Sequence, residues 1–253
     1  MFNSTTSTKT KQRIKSILVP TDFSDASWQA VQFALRLASR HQSKLVFAHI
    51  LEEAPINPAI IPDRYVKELQ ADRIRLIRQK LEAYEEYCDL KGHCALHKSI
   101  IMPGRAASMI IQMATNENID LIVMGSAGAS RLLESVSLEV IDKADCPVIF
   151  LPHRMEVSPF RDLVFLPRST TQSGQAIDYL KAFCEANQLD LHIAAAQGLS
   201  EQNLRSFRLL GPESILSIRL ANDPAERLIQ RKDLQQLIRN EHMPLFIIPS
   251  TKQ

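Results

Sequence analysis

Apolar and polar positions along this chain follow two alternating periods. Short aliphatic runs at Ser16–Val19, Lys44–Ile50, Ala95–Ile100, Leu121–Met124 and Val148–Leu151 predict strands. Between them the apolar residues step as they do on a helix. Trp28, Val31, Leu35 and Ala38 share one face, as do Ile74, Ile77, Leu81, Tyr84 and Cys88, and likewise Met109, Ile110, Met113 and Ala114. Strands alternating with helices predict an α/β fold whose parallel sheet is covered on both faces, with right-handed crossovers. Further along, Asp162–Leu166, Leu191–Ala195, Ile215–Leu220 and Leu245–Ile248 read as strands, with helices over Gln172–Asn187 and Pro224–Asn240.

The pattern repeats itself. Residues 17–38, ILVPTDFSDASWQAVQFALRLA, are echoed by 163–184, LVFLPRSTTQSGQAIDYLKAFC. At one constant offset Ser27 matches Ser173, Gln29 matches Gln175, Ala30 matches Ala176 and Leu45 matches Leu191. The ends repeat too, Cys146–Pro152 against Met243–Pro249. Two related units are therefore expected, with the second much the shorter. The stretch Ala221–Ile229 echoes Met102–Ile110, which places the loss in the second unit after its Pro224 helix, where a phosphate loop would sit. The expected division is a polar tail over 1–13, a complete unit over 14–152, a linker over 153–161 bracketed by Pro152 and Pro159, and a truncated unit over 162–253.

Composition narrows the class without naming a task. Apolar residues make up 45% and charged residues 23%, as in an ordinary packed core, and the net charge is +2. That mild charge predicts neither nucleic acid nor membrane as partner. No apolar run approaches the roughly 18 residues needed to span a bilayer, and the N-terminus has no apolar segment of the secretory kind. Cys88, Cys94, Cys146 and Cys184 show no C-x-x-C spacing, so a reduced, cytoplasmic setting is expected. Cys88, His93, Cys94 and His97 are ligand types without a zinc pattern, and no metal is expected there. The basic cluster of Arg73, Arg75, Arg78 and Lys80 is interleaved with acidic residues and reads as a solvated helix face.

Two strand ends carry candidate chemistry, because open α/β sheets bind ligands beyond the carboxyl ends of their strands. Val19-Pro-Thr-Asp-Phe-Ser24 puts Asp22 where it can accept from a ribose hydroxyl or an adenine amino group. Thr21, Asp22 and Ser24 are equally good caps for the helix that follows. Val123-Met-Gly-Ser-Ala-Gly-Ala-Ser-Arg131 offers glycines that let backbone N–H groups face an anion, or a plain tight turn. No G-x-S-x-G and no G-x-x-x-x-G-K-[ST] occurs, and no general base or nucleophile stands out.

Taken together, ILVPTDFS, Gly104 on the helix before Asp120-Leu-Ile-Val-Met-Gly-Ser126, and the ending Asp145-Cys-Pro-Val-Ile-Phe150 resemble the universal stress protein family over residues 16–152. The second unit resembles a degenerate member. The resemblance implies two tandem open parallel-sheet domains, Rossmann-type and like adenine nucleotide hydrolases, forming a pseudo-dimer with the second truncated. Members dimerise through their last strands, so Val148, Phe150, Leu245 and Ile247 are candidate contacts, or core residues.

Members that bind ATP resemble one another in Gly-x-x-Gly, nine residues, then Gly-Ser/Thr. By that resemblance Pro20 and Asp22 would face adenosine, Ile50 the base and Met124 the nucleotide. Gly125 and Gly128 would lie at the phosphates, followed by Ser135 and Val136, with Mg²⁺ accompanying the ATP. This chain departs twice. Only residues 129–133 separate Gly128 from the last element, and Glu134 replaces its glycine. Losing about one helical turn removes some 5–6 Å of reach. A carboxylate beside a triphosphate costs on the order of 1–4 kcal/mol at about 4 Å. In the second unit Asp22 falls opposite Arg168 or Ser169, and no carboxylate remains. The expected function is a non-catalytic cytoplasmic stress-response adaptor with a degraded nucleotide site and a protein partner of unknown identity. The alternative is an ATP-binding switch in the first unit with slow hydrolysis.

Overall fold

The structure is a computed structural model of the 253-residue chain, and it describes residues 13–52, 63–91, 96–125, 131–152, 160–167, 174–194, 213–240 and 244–250. The first lobe runs β1 (Ser16–Pro20), α1 (Asp25–His41), β2 (Lys44–Leu51), α2 (Asp63–Lys91), β3 (His97–Pro103), α3 (Ala106–Asn116), β4 (Leu121–Gly125), α4 (Arg131–Lys143) and β5 (Val148–Leu151). The second runs β6 (Asp162–Leu166), α5 (Gly174–Asn187), β7 (Asp190–Ile193), β8 (Ser214–Arg219), α6 (Pro224–Asn240) and β9 (Leu245–Ile248). Strands β5, β6 and β9 have the limits their apolar runs predict; the others differ by one to three residues. All of the expected tail but Arg13, and most of the linker, lie outside the described residues.

All the described strands join one sheet in the order β3-β2-β1-β4-β5-β9-β8-β6-β7. Pairing is parallel throughout each lobe and antiparallel only between β5 and β9. The last strands meet in the register Val148↔Ile247, Ile149↔Phe246, Phe150↔Leu245. Matching Cys146–Pro152 to Met243–Pro249 makes Ile149 and Phe246 equivalent, so a pseudo-twofold axis passes between them. Each pairing is the mirror of another, as at an isologous interface. Helix contacts obey the same axis: α1 packs on its counterpart α5, and α4 on its counterpart α6.

Alternation along the strands builds two cores. Ile17, Val19, Ile149, Leu163, Phe165 and Phe246 face α1, α2 and α5. Leu18, Ile122, Val148, Phe150, Leu216, Leu245 and Ile247 face α3, α4 and α6. The four candidate contacts on the last strands are thus both register partners and core residues. Each core runs unbroken through both lobes. Large side chains such as Phe47, Phe150, Phe165 and Phe246 are almost fully buried, each worth about 1.5–3 kcal/mol in removal from water. Ile77, Leu81, Tyr84 and Cys88 form the buried face of α2, as their spacing predicts.

Two expectations need correction. Strand β8 lies between β6 and β9, the place that β4 holds between β1 and β5. Its counterpart is β4, not β3, and α6 answers to α4. The echo of Ala221–Ile229 with Met102–Ile110 therefore misleads: among the described residues the second lobe lacks a β3–α3 pair and keeps the junction where a phosphate loop would sit. Gly104, placed on a helix by the sequence, precedes α3 instead, at φ 136°, a backbone region that favours glycine.

Candidate functional site

A cavity of about 560 Å³ opens at the carboxyl ends of β1, β2 and β4, between α3 and α4. That is the crevice the topology predicts, and its size suits a small molecule. Pro20, Asp22, Ile50, Met124, Gly125, Ser135 and Val136 all line it. Gly128 lies outside the described residues, as does the rest of the loop at 126–130.

The β1–α1 turn is fixed by a relay of short bonds. Thr21 N–H donates to the Ala48 carbonyl at 2.8 Å, tying the turn to β2. Thr21 Oγ1 donates to Ser27 Oγ at 3.0 Å and accepts from Phe23 N–H at 3.0 Å. Ser27 Oγ donates to the Ser24 carbonyl at 2.9 Å. Ser24 caps α1 by accepting from Ser27 N–H at 3.2 Å. Asp22 Oδ1 accepts from Ser24 N–H at 3.0 Å, so the carboxylate shapes the turn as well as facing the cavity. These bonds hold Phe23 at φ 64°, a left-handed conformation uncommon outside glycine. Its ring stacks on His49 with centroids 4.8 Å apart, and Lys80 Nζ lies 5.0 Å from its centroid.

Partial desolvation opposes ionisation of Asp22, but hydrogen bonding, chiefly from Ser24, outweighs it and holds the carboxyl below its ordinary value. Burial pushes the His49 imidazole down; the Thr21 carbonyl and Asp22 pull the other way, and Arg73 and Lys80 add to the fall. His49 Nδ1 lies 2.8 Å from the Thr21 carbonyl. A carbonyl only accepts, so Nδ1 carries the proton.

Gly125 has a packing reason to be glycine. A Cβ there would lie 2.3 Å from the Ala26 carbonyl carbon and oxygen, where α1 begins. Neighbouring strand end and helix start close up only because that side chain is absent.

Sequence reasoning missed the rim. His49 and Glu52 flank the candidate Ile50 and were legible as neighbours at the same strand end. Arg105 and Glu139 join across the mouth from α3 to α4, a pairing without a sequence signal. Arg73, read as part of a solvated helix face, is exposed and also lines the cavity. Of the cysteine–histidine group, Cys88 is fully buried in the α2 core, while His93 and Cys94 lie outside the described residues.

The equivalent corner of the second lobe is built from different residues. Register places Arg219 opposite Ile248, as Gly125 is opposite Leu151, so an arginine replaces the closely packed glycine. Beyond it the buried Gln230 side chain accepts from Ala221 N–H at 2.8 Å and donates to the Arg219 carbonyl at 2.8 Å. Asp223 Oδ2 accepts from Glu226 N–H at 2.9 Å and caps α6 with a carboxylate. Arg168 and Ser169 lie outside the described residues.

Comparison with known proteins agrees with this architecture. The model of the universal stress protein family matches residues 13–152. A universal stress protein of Synechocystis sp. is 31% identical over 142 residues, covering 54% of this chain and 85% of that one. A universal stress protein of Mycobacterium tuberculosis is 25% identical over 259 residues, covering 88% of this chain and 84% of its own. Among solved structures, a universal stress protein from Archaeoglobus fulgidus superposes with TM-score 0.68 at 17% identity, over 95% of this chain and 98% of that one. That likeness concerns the fold across both lobes. The universal stress protein UspA from Lactobacillus plantarum gives TM-score 0.50 at 28% identity, over 55% of this chain and 98% of that one.

Proposed function

The chain belongs to the universal stress protein family, and from that premise we propose that it is a non-catalytic regulatory module of the stress response, cytoplasmic, holding one small ligand in its first lobe and offering its surface to a partner protein. The observation that carries this reading is the open cavity of about 560 Å³ in the first lobe, set against a second lobe in which Arg219 stands at the position of Gly125 and Gln230 ties down the turn after β8. We take 14–152 and 162–253 as the two domains, joined by 153–161, with 1–13 as a tail.

Three features support a binding role over a catalytic one. The His49 ring bonds a backbone carbonyl rather than a serine. The Ser27 hydroxyl is spent on the Ser24 carbonyl. The Thr21 hydroxyl is spent on Ser27. A paired nucleophile and base, the usual mark of covalent or general-base chemistry, is therefore not formed by these groups. In the ligand site Asp22 accepts from hydroxyl or amino donors, and Ile50 and Met124 supply an apolar wall.

An ATP-binding switch with slow hydrolysis is the second reading. It is favoured by the cavity's position at the carboxyl ends of β1 and β4 and by Arg73 at its lip. Phosphate release from Mg·ATP separates the two. We expect no release above the protein-free rate at saturating ATP. Release that disappears with Asp22→Ala would establish the switch instead. No helix among the described residues is long and apolar enough to cross a membrane.

A further inference from the structure

We infer that the first-lobe cavity excludes polyanions, and that its ligand is a nucleoside-type compound carrying at most one negative charge. This rests on reading the cavity as the ligand site. Among the described residues, besides the exposed Arg73, two features at its rim would draw a phosphate chain, the N-terminus of α3 and the Arg105 guanidinium. Each already holds an anion of the protein's own.

Helix amides and the macrodipole favour an anion at a helix start. At α3 the cap residue, Arg105, supplies no side-chain acceptor. Glu52, just beyond β2, takes that role by accepting from Ala106 N–H at 3.1 Å. Arg105 in turn binds Glu139 Oε2, and Lys143 Nζ holds the other oxygen of Glu139 at 2.8 Å. Glu52, Arg105, Ala106 and Glu139 all line the cavity.

A phosphate arriving at either place must displace a carboxylate or lie beside one. Like charges a few ångströms apart in a partly desolvated space repel strongly. Asp22 adds a third carboxylate to the lining, against the cations Arg73 and Arg105. Arg73 is exposed on α2, where solvent and salt weaken its pull. Much of the rest of the lining is apolar, formed by Ala48, Ile50, Ala107, Ile110 and Met124. That combination suits a flat ring with hydroxyl or amino donors for Asp22, and among the described lining residues it leaves added phosphates only the exposed Arg73.

The test is a calorimetric charge series on the full-length protein with adenosine, AMP, ADP and ATP, each with and without Mg²⁺. We expect adenosine to bind at least as tightly as ATP, with affinity flat or falling as phosphates are added. In Glu52→Gln/Glu139→Gln the ratio of ATP to adenosine affinity should rise at least about tenfold, since both internal anions are neutralised. ATP binding about tenfold tighter than adenosine in the natural protein overturns the inference and leaves the ligand-site reading intact. A ratio unmoved in the folded double variant also overturns it. Silence from every compound up to about 5 mM, a binding energy below roughly 3 kcal/mol, sinks the ligand-site reading itself. The charge series needs no variant, so it decides the matter even where the double variant does not fold.

Discussion

The two lobes share strand order and a common seam, and they differ at one corner. In the first lobe β4 ends in Gly125 beside an open cavity. In the second, β8 ends in Arg219, Gln230 closes the turn and Asp223 caps the next helix. What survived in the shorter lobe is what packs against its neighbour: β9 on β5, α6 on α4, α5 on α1. Among the described residues the second lobe has no counterpart of the β3–α3 pair, whose strand in the first lobe lies at the far edge of the sheet from the seam. A duplicated scaffold can thus keep its packing while the residues at the position of the site change, since fold and site are separable properties.

The largest effect is expected at the seam. Phe246 is fully buried beside the pseudo-twofold axis and packs on Phe183 with ring centroids 4.8 Å apart. Phe246→Ala should destabilise by about 3–5 kcal/mol. Because both cores cross from lobe to lobe, urea unfolding should remain one transition, shifted as a whole. Two transitions, with the first-lobe signal from Trp28 unmoved, would show that the lobes are independent and break the comparison.

The corners come next. Gly125→Ala pushes a methyl group into the Ala26 backbone and should cost about 1–3 kcal/mol. Gln230→Ala leaves the Ala221 N–H and the Arg219 carbonyl without their partner, for about 1–3 kcal/mol. The sharper contrast is in ligand binding: Gly125→Ala should weaken it, and Gln230→Ala should leave it within about twofold. Equal loss in both variants would mean that the corners are coupled through the sheet.

A smaller and opposite effect is expected inside β8. Register makes Ser217 the counterpart of Val123. Ser217 is fully buried and its hydroxyl has no hydrogen-bond partner among the described residues. Restoring the first lobe's residue by Ser217→Val should stabilise by about 1 kcal/mol, through removal of an unpaired polar group and added apolar volume. A loss of stability would show that the second lobe has repacked around the serine.

Much of this was legible from spacing alone. Strand runs such as Val148–Leu151 and Leu245–Ile248 are bounded by prolines and apolar on both faces, so their limits and burial follow directly. Seven of the candidate residues fall on one cavity because strand ends converge there in any sheet of this order. The alignment of β8 was not legible. Ala221–Ile229 resembles the start of α3 although it begins the counterpart of α4, and only hydrogen-bond partners distinguish a strand at the centre of a sheet from one at its edge. The rim was hidden for the same reason: Arg105 and Glu139 are far apart in sequence and meet only once α3 and α4 are placed. Nor could spacing reveal that Gly125 is held to glycine by the Ala26 backbone, a constraint that exists only between packed elements.

The smallest effect should appear with pH, and it belongs to the first lobe alone. Burial lowers the pKa of His49, so the folded protein prefers the neutral ring. The unfolded chain then binds more protons on falling pH, and stability drops. The contribution of His49 is complete above the unfolded value, about 6.5, and fades as pH falls through the lower folded value. Asp22 has the same sign in a more acid window: its folded pKa is also depressed, so its contribution is present above about 3.9 and fades below. Between pH 7 and pH 5, His49→Asn should therefore flatten a shallow decline in the urea midpoint, and Asp22→Asn should leave that interval unchanged and act only below it. Because Phe23 stacks on His49, protonation should also slow or weaken ligand binding over the same interval. A midpoint that rises on acidification from pH 7 to pH 5, and loses that rise with His49→Asn, would mean that Asp22 dominates the ring and that the turn favours a charged imidazole.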